Sequence, residues 1–390
     1  MIPLAIAIVS AIVVAIIIHG TKRIWPDNFH RPAVTLLVCA RNEEQYITEC
    51  MLSLAAQDYP PTKFSILLVD HLSTDKTGEL MDEFASMTSI PTTVIHIDEP
   101  SEELIAKTHA LSVGIDRVTT EYVLLTDADC VVPPSWITTM IRKFRPNVAA
   151  VGGFVNVKSE EKDSFLTRLQ HLDLQFYLSI LSGTAGLRAP DRKGRRLRNL
   201  VPDFLRPLIT PMRPPGWIGN NAAYRMSAYR ATGGFKSFGP SLVEDYALMN
   251  AIVRDTGKYL AVTFDGGAVV TTRPQTNWGD LWRQKRRWAT GVSVPNPLGL
   301  ILISVMFSMR VATPWFAFWY PIETVISLLI MMVMAYLLLK STSTLTEQKF
   351  GIRDVVYEEL FQILLNQTIL LASVARWPIV WKGEKYRNPS

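Results

Sequence analysis

The sequence predicts an α/β protein whose middle is a doubly wound, Rossmann-like sheet, with membrane-crossing helices towards both ends of the chain. Three observations predict it. Short apolar, β-rich runs alternate with helical stretches between residues 33 and 126. Carboxylates follow several of those runs. Apolar residues crowd into the beginning and the final third of the chain.

The sheet is read element by element. Ala33–Ala40 (AVTLLVCA) and Phe64–Val69 (FSILLV) have the length and β-branched content of buried parallel strands. Gln45–Ala56 between them has helical apolar spacing, and Tyr59-Pro60-Pro61 stops it. Thr77–Ser86 reads as a second helix, Thr93–Ile97 as a third strand, Glu103–Val118 as a third helix and Tyr122–Thr126 as a fourth strand. Such alternation means βαβ units, and ligands of such sheets bind beyond the carboxyl ends of the strands. Arg41, Asp70 and Asp127 stand at those ends.

Ile2–Ile18 is an uninterrupted apolar run of about 17 residues, at the short end of what spans a bilayer. A cleaved signal peptide would carry positive charge before the run and small residues after it. His19, Lys22 and Arg23 follow instead, which marks an uncleaved anchor with the middle domain on the cytoplasmic side. Three further candidate spans are Pro297–Tyr320, Pro321–Leu339 and Leu360–Trp381. The basic tail prefers the inside, so the number of crossings stays open. Arg310, within the first of them, reads as a snorkelling side chain.

Mean hydropathy is +0.16 with 48% hydrophobic residues, too apolar for an ordinary soluble enzyme. Net charge is +5 and the basic residues cluster beside apolar spans, which favours a membrane surface. No basic stripe interleaved with aromatics suggests nucleic acid. Three cysteines without regular spacing argue against a disulfide framework, and no Cys/His spacing suits zinc. The Arg-rich segment Leu187–Pro215 breaks the strand–helix pattern, as a solvated loop or as an interfacial segment.

Four signals carry chemistry. Asp70 follows a strand and precedes Ser73, Asp75 and Thr77; Asp75 reads as a helix cap and Asp70 as a contact for a base or ribose. Asp127-Ala128-Asp129 is alternating acid directly after VLLT, where one or two carboxylates can share Mg²⁺ or Mn²⁺ with a diphosphate; Asp129 is the more direct ligand. Glu244-Asp245 opens a helical run, Tyr246–Ile252, and offers Asp245 as a general base. Gln284, Arg287 and Trp288 lie on one helical face just before the apolar third. Arg287 suits diphosphate oxygens, and Trp288 offers a flat surface to a sugar or acceptor.

In this order the motifs resemble the family 2 inverting glycosyltransferases, which include cellulose, chitin and hyaluronan synthases and ceramide glucosyltransferase. The likeness covers roughly Ala33 to Trp288 and includes CARNEE (Cys39–Glu44), CMLSLAAQDYP (Cys50–Pro60), AKTHALSVG (Ala106–Gly114) and GNNAAYRMSAYRATGGF (Gly219–Phe235). It implies a GT-A fold with a mixed sheet. It implies donor contacts at Arg41, Glu43, Asp70, Lys107, Asp127, Gln284, Arg287 and Trp288, metal at Asp129 and Asp127, and Asp245 as catalytic base. The family often has a second Asp where this chain has His71.

The resulting expectation is a membrane-bound transferase. It would move a hexose from a nucleotide diphosphate sugar, with UDP the expected nucleotide, to a lipid hydroxyl, giving a β-glycoside. The alternative is a processive β-polysaccharide synthase. A non-catalytic scaffold would have lost the base or a metal acid, and a transporter would show repeated spans. The expected layout is an anchor over 1–20, a cytoplasmic GT-A domain over 30–275, an interfacial helix over 276–293, a membrane region over 297–381 and a tail over 382–390.

Overall fold

The computed structural model describes residues 1–23, 25–104, 106–159, 164–187, 189, 217–237, 241, 243–291, 297–345, 350–381 and 384–386. The chain divides into two compact units. Met1–Arg23, Ser159–Arg213 and Pro274–Ser390 form a helical unit; Ile24–Lys158 and Pro214–Arg273 form an α/β unit. The basic segment Leu187–Pro215 lies, apart from Leu187 and Ala189, outside the described residues.

In the α/β unit seven strands make one sheet: β1 (Val34–Ala40), β2 (Phe64–His71), β3 (Thr92–Ile97), β4 (Tyr122–Asp127), β5 (Val148–Gly152), β7 (Ala222–Arg225) and β8 (Tyr259–Val262). Their order is β3-β2-β1-β4-β7-β5-β8. The first four are parallel, and β7 runs antiparallel to both its neighbours. β6 (Val155–Val157) and β9 (Val270–Thr272) form a separate parallel pair. Helices α2 (Ile47–Ala55), α3 (Thr77–Met87), α4 (Ala106–Asp116), α5 (Trp136–Ile141), α7 (Met226–Ala231) and α8 (Glu244–Thr256) complete the unit. Every residue of β1 is buried, as a central parallel strand covered on both faces must be. Strand order reverses at β1, between β2 and β4, the place where such sheets open a crevice at their carboxyl edge. The register sets the functional residues level there: Ala40 lies opposite Asp70, Cys39 opposite Asp127, and Asp70 opposite His96.

The helical unit holds α1 (Ile2–Thr21), α6 (Phe165–Gly186), α9 (Trp278–Gly291), α10 (Pro297–Trp319), α11 (Pro321–Thr342) and α12 (Ile352–Val374). Strands β10 (Ile379–Trp381) and β11 (Glu384–Tyr386) form a terminal hairpin. Among the described residues, two helices are long and apolar enough to cross a membrane, Ile2–Thr21 and Pro321–Leu345.

Three sequence expectations change here. The 30–275 domain is interrupted, because α6 belongs to the helical unit. Its buried residues include Gln170, His171, Asp173 and Gln175, so no apolar stripe announced it. The helix at the last candidate span runs over Ile352–Val374 instead of 360–381, and it is not one of the two helices, among the described residues, long and apolar enough to cross a membrane. Gly351 begins that helix, and Arg376, with φ of 54°, and Pro378 turn the chain into the hairpin that takes up part of the expected tail. Arg310 does not snorkel. It is buried against Glu359 with hydrogen bonds of 3.1 and 2.8 Å, so burial of one charge is offset by the other.

Helices α1 and α6 cross through glycines. A Cβ on Gly183 would meet the Ile17 backbone, and one on Gly20 or Gly186 would meet the other helix's carbonyl. Small residues at a crossing let backbones approach this closely. Gly183→Val is therefore expected to destabilise the helical unit by about 1–3 kcal/mol, read as a lower midpoint of thermal unfolding. An unchanged midpoint would contradict the crossing.

Candidate active site

The site is built on the carboxyl edge of β1, β2 and β4. The loop after β1 and the loop after β2 hold each other. The Asn42 N–H donates to Ser73 Oγ at 3.0 Å, Thr74 N–H to Asn42 Oδ1 at 2.8 Å, and Glu43 N–H to Thr77 Oγ1 at 2.8 Å. Asp75 accepts from the N–H groups of Thr77 and Glu44, which agrees with its reading as a turn and cap residue. Asn42 and Leu72, one in each loop, have φ of 56° and 57°. Left-handed backbone in non-glycine residues persists only where the surroundings over-determine it, and these reciprocal bonds do so.

Asp70 is buried at the end of β2. Its Oδ2 faces His96 Nδ1 at 3.2 Å, while its Oδ1 is buried without a hydrogen-bond partner among the described residues. A Cβ on Gly78, in the first turn of α3, would lie 2.6 Å from Asp70 Oδ2, so the glycine makes room for the carboxylate. His71 points elsewhere, with Nε2 3.2 Å from His109 Nδ1 on α4.

Lys107, in the first turn of α4, is the electrostatic centre. Its Nζ donates to Asp127 Oδ1 and lies 3.8 Å from Glu244 Oε1. Burial opposes its charge, but the carboxylates of Asp127, Glu244 and Asp245 outweigh that and hold the ammonium above the ordinary lysine range.

After Asp127 the chain turns, with Cys130 N–H donating to the Asp127 carbonyl at 3.1 Å. The turn brings Asp129 beside Asp127. Burial, with the Asp127 and Glu43 carboxylates adding to it, pushes Asp129 up to about 6. Among the described residues no three His, Cys, Asp or Glu side chains are grouped to hold an ion unaided. Mg²⁺ and Mn²⁺ do not require such a cage when a diphosphate supplies the remaining oxygens. Two hard carboxylates, one of them raised by burial and then by neighbouring acids, fit an ion shared in that way.

Asp245 sits at the start of α8, next to the turn Gly219–Asn221. Its Oδ2 accepts the Gly219 N–H, and its Oδ1 accepts the Tyr246 N–H at 2.7 Å. A Cβ on Gly219 would stand 3.1 Å from the Asp245 Cβ. The turn is tied to β4 by Thr126 Oγ1 donating to the Asn220 carbonyl at 2.9 Å. Asn221 anchors it from beneath, accepting from Trp136 Nε1 and donating to the Phe154 and Ala268 carbonyls. Burial, then the adjacent Glu244, pushes Asp245 up to about 6, with Lys107 working the other way.

Arg41, Glu43, Asp70, Lys107, Asp127, Asp129 and Asp245 all fall in the α/β unit. Gln284, Arg287 and Trp288 fall on α9 in the helical unit. There the intervening Lys285 and Arg286 are buried. Lys285 pairs with Asp173 of α6, and Arg286 donates to the carbonyls of Trp377 and Pro378. Trp288 lies near-parallel to Tyr177 with ring centroids 6.5 Å apart. Sequence reasoning missed His96, Gly78 and Gly219. The signal for His96 was a polar residue in β3 opposite Asp70, readable only once the register is known.

Comparison with known proteins agrees with this architecture. The family profiles, rather than the sheet alone, identify the chain as a glycosyltransferase. The chain belongs to glycosyl transferase family 2, whose profile matches residues 35–232, just over half of it. The profile of glycosyl transferase family 21 matches residues 216–389. The fold is similar to that of a mannosyltransferase from Pyrobaculum calidifontis in complex with GDP-Man and Mn²⁺, at 20% identity and TM-score 0.58, covering 95% of this chain and 99% of that one.

Among curated relatives, a dolichyl N-acetyl-α-D-glucosaminyl phosphate 3-β-D-2,3-diacetamido-2,3-dideoxy-β-D-glucuronosyltransferase of Methanococcus voltae is 25% identical over 142 residues, 35% of this chain and 43% of that protein. A poly-β-1,6-N-acetyl-D-glucosamine synthase of Staphylococcus epidermidis is 27% identical over 150 residues, 38% and 33% of the two. A probable glycosyltransferase of Bacillus subtilis, YdaM, is 24% identical over 270 residues, 68% and 57%. The matched stretch thus spans less than half the length of the first two relatives.

Lys107→Met should expose how much repulsion the ammonium offsets. Stability at pH 7 is expected to fall by about 1–3 kcal/mol, less than for a fully buried pair because Lys107 is partly exposed. Ionised carboxylates with raised pKa values destabilise the folded state, and protonation relieves them. The deficit should therefore shrink as pH falls through about 6 and below. A deficit independent of pH in thermal unfolding would contradict the electrostatic assignment.

Proposed function

We propose that the protein is an inverting, membrane-anchored transferase that moves a hexose from a nucleotide diphosphate sugar, UDP-linked, to a hydroxyl on a glycan chain. The observation that carries this reading is Lys107. One ammonium touches the Asp127 carboxylate, where a diphosphate and its ion would sit, and reaches Glu244, the neighbour of Asp245. Leaving-group chemistry and base chemistry are thereby joined at one strand edge.

Asp127 and Asp129 would hold Mg²⁺ or Mn²⁺, which neutralises the leaving diphosphate when bound. Asp70, whose buried Oδ1 has no hydrogen-bond partner among the described residues, receives the nucleoside; Arg41 and Glu43 line the same edge. Asp245 takes the proton of the acceptor hydroxyl as that oxygen attacks the anomeric carbon from the face opposite the diphosphate. Its two backbone donors fix the carboxylate, and its raised pKa makes it a stronger base than an ordinary aspartate. The roles of Gln284, Arg287 and Trp288 towards donor and acceptor rest on the motif alone.

The sequence expected a lipid acceptor. A polysaccharide-type acceptor now has the better support, since the Staphylococcus epidermidis relative is named as a poly-β-1,6-N-acetyl-D-glucosamine synthase. A lipid-borne acceptor stays as the second reading, favoured by the dolichyl phosphate in the name of the Methanococcus voltae relative. Membrane anchoring is supported by α1 and α11, and by α12, which buries Asp354, Glu358, Glu359 and Gln362 while exposing Leu360, Leu364 and Leu371. Polar side chains inward and apolar ones outward suit a helix surrounded by lipid. With the positive flank after α1 on the inner side, the α/β unit is cytoplasmic.

Four measurements test this. Excess EDTA should abolish transfer, and Mn²⁺ or Mg²⁺ should restore it; full turnover without a divalent ion would remove the metal from the reading. Asp245→Asn should retain donor binding while kcat falls about 10²–10⁴-fold or more. In the wild type kcat/KM should decline as pH falls below about 6, where Asp245 becomes protonated. A variant with wild-type rate would place the base elsewhere. Feeding membranes a panel of radiolabelled nucleotide-sugars should give label in polymeric product; label confined to the lipid extract would favour the second reading. The native thiols are all buried, and burial pushes Cys39 up to about 12, so sidedness is better read from a cysteine introduced at a surface position.

A further inference from the structure

His96 sits on β3, the edge strand, directly opposite Asp70. Both ring nitrogens face carboxylates: Nδ1 is 3.2 Å from Asp70 Oδ2 on β2, and Nε2 is 3.2 Å from Asp82 Oδ1 on α3. A carboxylate can only accept, and a neutral imidazole has one N–H, so a ring between two carboxylates satisfies both only as imidazolium. Asp82 is largely exposed and Asp70 is buried, so the chain of three groups runs inwards from solvent to the nucleoside end of the site. Gly78 keeps the space open, since a Cβ there would lie 3.3 Å from His96 Cε1 as well as against Asp70 Oδ2. Asp70 Oδ1 is buried and has no hydrogen-bond partner among the described residues, so the His96 contact at Oδ2 is the side-chain bond that holds this carboxylate.

We infer that His96 is a positioning residue for the donor nucleoside: it occupies Asp70 Oδ2 and fixes the carboxylate plane at the nucleoside end of the site. This rests on the reading of Asp70 as the nucleoside contact. The charged groups facing His96 are Asp70 on β2 and Asp82 on α3, and both favour its protonated form against the opposing effect of burial. Removing the ring frees Asp70 to rotate and leaves its buried charge without a counterion. Binding through phosphates is untouched, because His96 contacts none of the acids assigned to the diphosphate or its ion.

The test is titration calorimetry on the full chain in detergent with Mn²⁺ present, using UDP and inorganic pyrophosphate as the two probes. His96→Phe is expected to weaken UDP about three- to tenfold and leave pyrophosphate unchanged. His96→Gln, which can still donate one hydrogen bond to Asp70, should recover part of that loss. Asp70→Asn separates the two claims. If it weakens UDP about tenfold or more while both His96 variants bind UDP like the wild type, the inference about His96 falls and the Asp70 reading stands. If Asp70→Asn leaves UDP binding unchanged, the Asp70 reading falls and the inference with it. Equal weakening of UDP and pyrophosphate in His96→Phe, with a lowered unfolding midpoint, would make His96 a structural residue only and overturn the proposal.

Discussion

The ammonium of Lys107 is the interaction on which the rest of the site depends. Asp127, Asp129, Glu244 and Asp245 converge on the end of β4 and the start of α8, and such a cluster repels itself. One cation reaching both Asp127 and Glu244 lets the strand edge and the helix start approach each other. Asp129 and Asp245 are both still pushed up to about 6, first by burial and then by the neighbouring carboxylates, so Lys107 offsets only part of the repulsion. An incompletely neutralised carboxylate cluster has the electrostatics of a site made to receive further positive charge.

Much of this was legible in the sequence for a simple reason. Parallel strands buried on both faces appear as continuous apolar runs, and their register brings the residues that follow each run to a common edge. Asp70 and Asp127 could therefore be placed together from FSILLVD and YVLLTD alone. The partners that tune them were not legible. His96 depends on strand register, Gly78 and Gly219 on close approach, and the Asn42 and Leu72 conformations on bonds between two loops. Helix α6 escaped because its buried face carries Gln170, His171, Asp173 and Gln175 among its leucines. For the same reason the catalytic domain read as one continuous stretch when it is two.

The helical unit follows a different logic. Its interior holds ion pairs, Lys285 with Asp173 and Arg310 with Glu359, while its surface exposes Ile, Leu, Val and Trp side chains. Buried pairs add little net stability over packed apolar groups, but losing one partner is costly, so they specify which helix faces which. Lys285 and Arg286 lie inside the Gln-x-x-Arg-Trp motif. Their pairing fixes α9 to α6 and to the chain before the terminal hairpin, which settles the orientation of the helix that bears Gln284, Arg287 and Trp288.

In the proposed reading Asp127 and Asp129 would be too few to hold an ion tightly by themselves, and a diphosphate would supply what they lack. Linkage then requires each ligand to tighten the other by the same factor. Titrating Mn²⁺ into the protein with and without saturating UDP tests this most directly. Mn²⁺ should bind weakly alone and at least about tenfold more tightly with UDP, with the gain lost in Asp129→Ala; equal affinity with and without UDP would contradict a shared ion at this strand edge.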